Sequence, residues 1–215
     1  MTDKDQRISR KLVTIAALSL GAGVIGYFGG YAFGETSVET GYELSMSVII
    51  ALAVAVMYLT TAGLVLVGTA VPKFGENVLN VEDAEEIEEM RAMVLNSAFA
   101  LGSWGAALLV IALAEPAGPI SPLHSFLVSA AGIVLGCYFA AVSYRHSDEL
   151  MMAVNREAAV WAYGLVFCVI GGWAMAAHAD LLAPPAPLDV MTGFYALVLL
   201  ATCIAAGRRG MLKLR

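Results

Sequence analysis

The sequence predicts an all-α fold: a polytopic integral membrane bundle of six transmembrane helices, with both termini in the cytoplasm of a bacterium-like cell. Three observations predict it. Of the 215 residues, 60% are hydrophobic and 14% charged, with a mean hydropathy of +0.78, too apolar for an ordinary water-solvated domain. Six runs near the length that crosses a hydrocarbon core of about 30 Å carry no Asp, Glu, Lys or Arg in their interiors. With six crossings, all 12 Lys and Arg residues fall on one side of the bilayer, the asymmetry that marks cytoplasmic loops.

The runs follow in order. Residues 12–34 come after Lys4, Arg7, Arg10 and Lys11, and Ala32, Phe33 and Gly34 form the small-x-small pattern of a processing site. A signal-peptide apolar region spans about 7 to 15 residues, so this longer run reads as a spanning helix. Residues 46–71 follow an acidic outer segment, 35–45, and stop at Pro72. Residues 92–114 begin after Arg91 and end before the Pro-containing stretch 115–122. Residues 123–144 end at Arg145, and residues 158–179 begin after Arg156 and Glu157. Residues 190–207, the shortest run, follow Pro184, Pro185 and Pro187 and lead into Arg208 and Arg209. Unpaired backbone in lipid is costly, so all six runs must be helical, and residues 1–215 form one transmembrane domain.

Small residues show where helices approach. Ala22, Gly26, Gly30 and Gly34 recur every four positions in the first run, which places them on one helix face. Gly132 and Gly136 repeat the spacing in the fourth run, as do Gly102 and Ala106 in the third. We read these as contacts within the chain; a homodimer seam is the alternative. The tyrosines and tryptophans near run ends suit anchoring at the two interfaces.

The cytoplasmic connections carry the acidity. Residues 80–91 read NVEDAEEIEEMR, with Asp83 placed to cap a helix and Glu85, Glu86, Glu88 and Glu89 crowded beyond it. Val81, Ile87 and Met90 give this segment an apolar side, so it is expected to extend the third helix into water. In residues 144–158, Ser147 is the expected cap, with Asp148 and Glu149 in the first turn. Glu85, Glu86 and Ile87 match Asp148, Glu149 and Leu150 as acidic-acidic-aliphatic triplets, a pattern that duplication of a helix pair or shared helix-start chemistry would both produce.

Asp148, Glu149 and Leu150, six residues, then Glu157 and Ala158 ahead of an apolar helix resembles the helix-start segment of uncharacterised bacterial inner-membrane proteins. The resemblance covers about a tenth of the chain and departs at Met151, Met152, Ala153 and Val154, where those proteins are rich in Arg and Gln. It implies a bacterial inner-membrane setting and no activity.

Chemistry-bearing patterns are sparse. No ionisable residue lies in the interior of a run, so the usual mark of a proton-coupled carrier is missing. Cys137, Cys168 and Cys203 sit singly in apolar runs and read as small hydrophobes. His124 and His178 fall near the outer surface, where a metal-binding pair is conceivable but an interfacial role is the plainer reading. Thr60, Thr61, Thr69, Asn96, Ser97, Ser103, Ser129 and Thr202 are expected to bond helix backbone. The residues therefore assign no catalytic, cofactor-binding or metal site and no nucleic-acid partner. The expected function is a non-enzymatic accessory or assembly subunit of the inner membrane, acting through helix contacts and docking a protein partner or second copy. Glu85, Glu86, Glu88, Glu89, Asp148 and Glu149 are the docking candidates. A small transporter or channel for a neutral or apolar solute is the alternative.

Overall fold

The computed structural model describes residues 45–71, 74–75, 84–114 and 117–211. The first predicted run, with Ala22, Gly26, Gly30 and Gly34, lies outside the described residues, as does Asp83. The described chain is helical, and its helices are α1 (Met46–Ala70), α2 (Ala84–Glu89), α3 (Arg91–Ala112), α4 (Pro122–Arg145), α5 (Glu149–Val166), α6 (Gly172–His178) and α7 (Pro187–Arg208). A π-helical stretch, Phe167–Gly171, joins α5 to α6 without a break in the rod. Five helical segments are long and apolar enough to cross a membrane: α1, α3, α4, the continuous Glu149–His178 rod, and α7. This is the pattern of a multi-pass membrane protein. At 1.5 Å per residue, the 22 residues of α7 cover about 33 Å, enough for the hydrocarbon core.

Local chemistry sets the ends. The Ser45 hydroxyl accepts from the Val48 N–H at 3.3 Å and opens α1. Proline occupies the first turn of α4 and of α7, where its missing N–H costs nothing. The Asp189 carboxylate accepts from the Ala186 N–H at 2.9 Å, closing the start of α7.

Two expectations are corrected. Asp148, one residue after Ser147, caps α5: its carboxylate accepts from the Met151 N–H at 2.7 Å, while the Ser147 hydroxyl instead donates back to the Ser143 carbonyl at 3.1 Å. An ionised carboxylate accepts strongly from a helix N-terminus, which favours it over the hydroxyl beside it. The acidic segment is also not a simple continuation of the third span. A turn at Met90 (φ −89°, ψ 3°) separates α2 from α3 and lets Ile87 fold inward.

Helices pack in the spatial order α4, α3, α1, α7, α5, with α2 touching the start of α3. Residue pairings make α1 and α3 antiparallel, with Ala62 near Gly102 and Ala55 near Gly105. The α3–α4 and α5–α7 pairs are antiparallel as well, whereas α1 and α7 run the same way. Arg91, Arg145, Arg208 and Arg209 accordingly gather at one end of the bundle.

Burial runs opposite to that of a water-soluble domain. The buried set is mostly Ala, Ser, Thr and Gly, including Ala51, Ala55, Ala98, Ala107, Ser125 and Ala201. Large apolar side chains such as Phe126, Val134, Val160, Phe167 and Met175 face outward. In water such a surface would aggregate; in lipid it costs nothing, and small residues inside let backbones close up for van der Waals contact.

Candidate functional site

Three places could carry function: an open apolar cavity between α4 and α7, the acidic helix α2, and an ion cluster where α5 meets α7. The cavity is about 260 Å³, bounded by Tyr58 of α1, Trp104 of α3, Ile133 and Cys137 of α4, and Phe194, Tyr195 and Val198 of α7. Its wall is apolar. The polar atoms nearby are turned into the protein: the Tyr58 hydroxyl donates to the Tyr195 carbonyl at 2.9 Å, with the two rings edge-on at 5.3 Å. The Tyr195 hydroxyl and the Thr192 hydroxyl are buried without a hydrogen-bond partner among the described residues. Among the described residues the wall offers no hydrophilic path, and an apolar occupant suits the space.

Glycines shape that region. Gly136 lies against the Trp104 indole and leaves no room for a Cβ. A Cβ on Gly132 would meet Ala107 Cβ at 3.0 Å and the Ser103 carbonyl at 3.1 Å. Ser129 donates to the Ala107 carbonyl at 2.8 Å, and Ser143 donates to the Met93 carbonyl at 2.9 Å while meeting Ser97 Oγ at 2.7 Å. By contrast Thr60, Thr61, Thr69, Asn96 and Thr202 bond only the turn behind them. Gly105 was not singled out in the sequence, yet a Cβ there would fall 2.9 Å from Tyr58 Cβ and 3.2 Å from the Ala55 carbonyl. Its neighbours four positions away are Leu101 and Leu109, so no small-residue spacing betrays it.

In α2, Glu85, Glu88 and Glu89 are exposed and Glu86 lies in the same short helix. Ile87 is 1% exposed and reaches Gly75, where a Cβ would strike its Cδ1 at 2.7 Å. The acidic helix is thus pinned by one apolar side chain. Asp148 is engaged as a cap, and Glu149 is exposed in the first turn of α5. Leu150 is 47% exposed, so the two acidic-acidic-aliphatic triplets occupy different environments.

The ion cluster joins Glu157 to both arginines at the end of α7. Arg208 Nε lies 3.0 Å from Oε1 and Arg209 Nε 3.0 Å from Oε2. The Arg208 guanidinium also sits 5.6 Å from the centre of the Trp161 ring. The sequence shows these residues at the border of two apolar runs, but their pairing across 52 positions is a tertiary fact.

The histidines lie at helix ends. His124 Nδ1 meets Ser121 Oγ at 2.6 Å, the His146 Nδ1–H donates to the Val142 carbonyl at 2.9 Å, and His178 is exposed at the end of α6. Among the described residues, no group of three or more His, Cys, Asp or Glu is placed to hold a metal ion. Cys137, Cys168 and Cys203 are unpaired thiols on the outward side of their helices. No protein-family description, curated protein or solved structure matches the chain.

Proposed function

We propose that this chain is a multi-pass protein of a bacterial inner membrane that acts without catalysis, as an accessory or assembly subunit presenting an acidic cytoplasmic helix to a basic protein partner. The observation that carries the reading is the construction of α2. Ile87 is 1% exposed while Glu85, Glu88 and Glu89 stand in solvent, so buried apolar contact holds the carboxylates in one orientation. An acidic segment that only solvated itself would need no anchor. A held charge cluster loses less side-chain and backbone freedom on binding, which favours recognition.

Six spans with both termini on the arginine-bearing side complete the reading. The single-ended placement of Arg91, Arg145, Arg208 and Arg209 supports that orientation. A second reading draws on the 260 Å³ cavity, whose wall suits passage of an apolar solute.

The test is co-purification of the full chain in mild detergent. Neutralising Glu85, Glu86, Glu88 and Glu89 to Gln should abolish recovery of the partner while leaving the monodisperse bundle intact. Ile87→Ala should release α2, at about 2–5 kcal/mol of local stability, and weaken recovery with every carboxylate still present. Undiminished recovery with the four Gln substitutions sinks the docking role, and a chain that purifies alone favours the solute reading.

A further inference from the structure

The end of α7 is built to hold two arginines in place. Gly210 has φ +73°, a left-handed conformation that glycine adopts without Cβ strain. The Met211 N–H bonds the Ala206 carbonyl and the Gly210 N–H bonds the Gly207 carbonyl, both at 3.0 Å, the two bonds of a Schellman end. Met211 then packs on Val154, Ala158 and Ala205, locking the turn against α5. Arg208 and Arg209 are delivered to Glu157, one to each carboxylate oxygen.

That stoichiometry leaves the cluster with one positive charge. Each arginine meets the carboxylate through Nε, and the Nη groups of both make no hydrogen bond to any described residue. Four planar NH2 donors with a net single charge match a phosphate monoanion, whose oxygens accept paired guanidinium bonds. Arg208 is 63% exposed on its side chain, so its donors are accessible. Asp148, a neighbouring acid along α5, is nine residues away, about 13 Å along the helix, and is occupied as a cap.

Location supplies the source of the phosphate. The cluster closes an apolar span of 22 residues, the depth at which headgroups meet a cytoplasmic surface. Trp161 beside Arg208 is an aromatic of the kind that settles at that level. We propose that the Nη groups of Arg208 and Arg209 bind a singly charged phosphate group, that of an anionic membrane-lipid headgroup. Glu157 cancels one charge and holds both guanidiniums side by side. This rests on α7 crossing a membrane and is independent of partner docking by α2.

The experiment uses the purified full chain in dodecyl maltoside, titrated separately with phosphatidylglycerol, phosphatidylcholine and inorganic phosphate, with retained ligand counted by native mass spectrometry. Phosphatidylglycerol should be retained in preference to phosphatidylcholine, and Arg208→Gln or Arg209→Gln should each lower that preference about fivefold. Each single variant leaves Glu157 one guanidinium, so the fold is kept and elution stays monodisperse. Equal retention of the two lipids by the unaltered chain overturns the proposal, as does an unchanged preference in both variants. Retention of inorganic phosphate without a phosphatidylglycerol preference overturns the lipid source.

Discussion

The Tyr58 hydroxyl donates to the Tyr195 backbone carbonyl across 2.9 Å, while the hydroxyl of Tyr195 itself is buried with no partner among the described residues. One ring therefore ties α1 to α7, and the other carries a desolvated donor that no described residue satisfies.

The two tyrosines should respond oppositely to the same change. Tyr58→Phe removes an interhelical bond and is expected to destabilise the bundle by about 0.5–1.5 kcal/mol. Tyr195→Phe removes an unsatisfied hydroxyl and is expected to be neutral or stabilising by up to about 1 kcal/mol. Thermal unfolding of each variant in detergent micelles checks the pair; a loss at Tyr195 as large as at Tyr58 would show that this hydroxyl has a partner.

Gly136 should tolerate no side chain. The Trp104 ring occupies the position of its Cβ, so Gly136→Ala forces the indole or α4 to move, an overpacking cost of about 1–3 kcal/mol. Gly164→Ala, with nothing within 4 Å of the added carbon, should change stability by less than about 0.5 kcal/mol. Equal melting shifts for the two would contradict the α3–α4 packing.

The orientation can be read by labelling. In a chain with Cys137, Cys168 and Cys203 replaced by Ala, Ala183→Cys lies between α6 and α7, and Leu150→Cys lies at the arginine-bearing end. An impermeant maleimide should label the first in intact spheroplasts and the second only after permeabilisation. The reverse pattern would invert the topology and remove α2 from the cytoplasm.

Much of the fold was legible because lipid imposes a crude rule. Runs 46–71, 92–114 and 123–144 match α1, α3 and α4 to within a residue or two at each end, since a span must be apolar, uncharged and helical at once. The fifth run, 158–179, is the apolar part of a longer helix, and the capping chemistry of Ser147, Asp148 and Glu149 marks its start to within a residue of the observed Glu149. The π-helical stretch Phe167–Gly171 lies in an unbroken apolar run, whose composition does not distinguish it from α-helix.

The candidate sites were less legible, for a physical reason visible in single residues. Glu85, Glu88 and Glu89 announce themselves as charges, but only the packing of Ile87 under Gly75 shows that they are held. Glu157, Arg208 and Arg209 each looked like ordinary border charges until α5 and α7 brought them together.

By itself the sequence determined the solvent: its hydropathy and its long uncharged runs specify helices sized for a bilayer, because hydrocarbon excludes both charge and unpaired backbone. Tertiary structure decided the neighbours. Which small residues admit a facing ring, as Gly136 admits Trp104, and which charges share a partner, as Arg208 and Arg209 share Glu157, depend on contacts between helices distant in sequence. Periodicity records the face a residue occupies and carries no information on what that face meets.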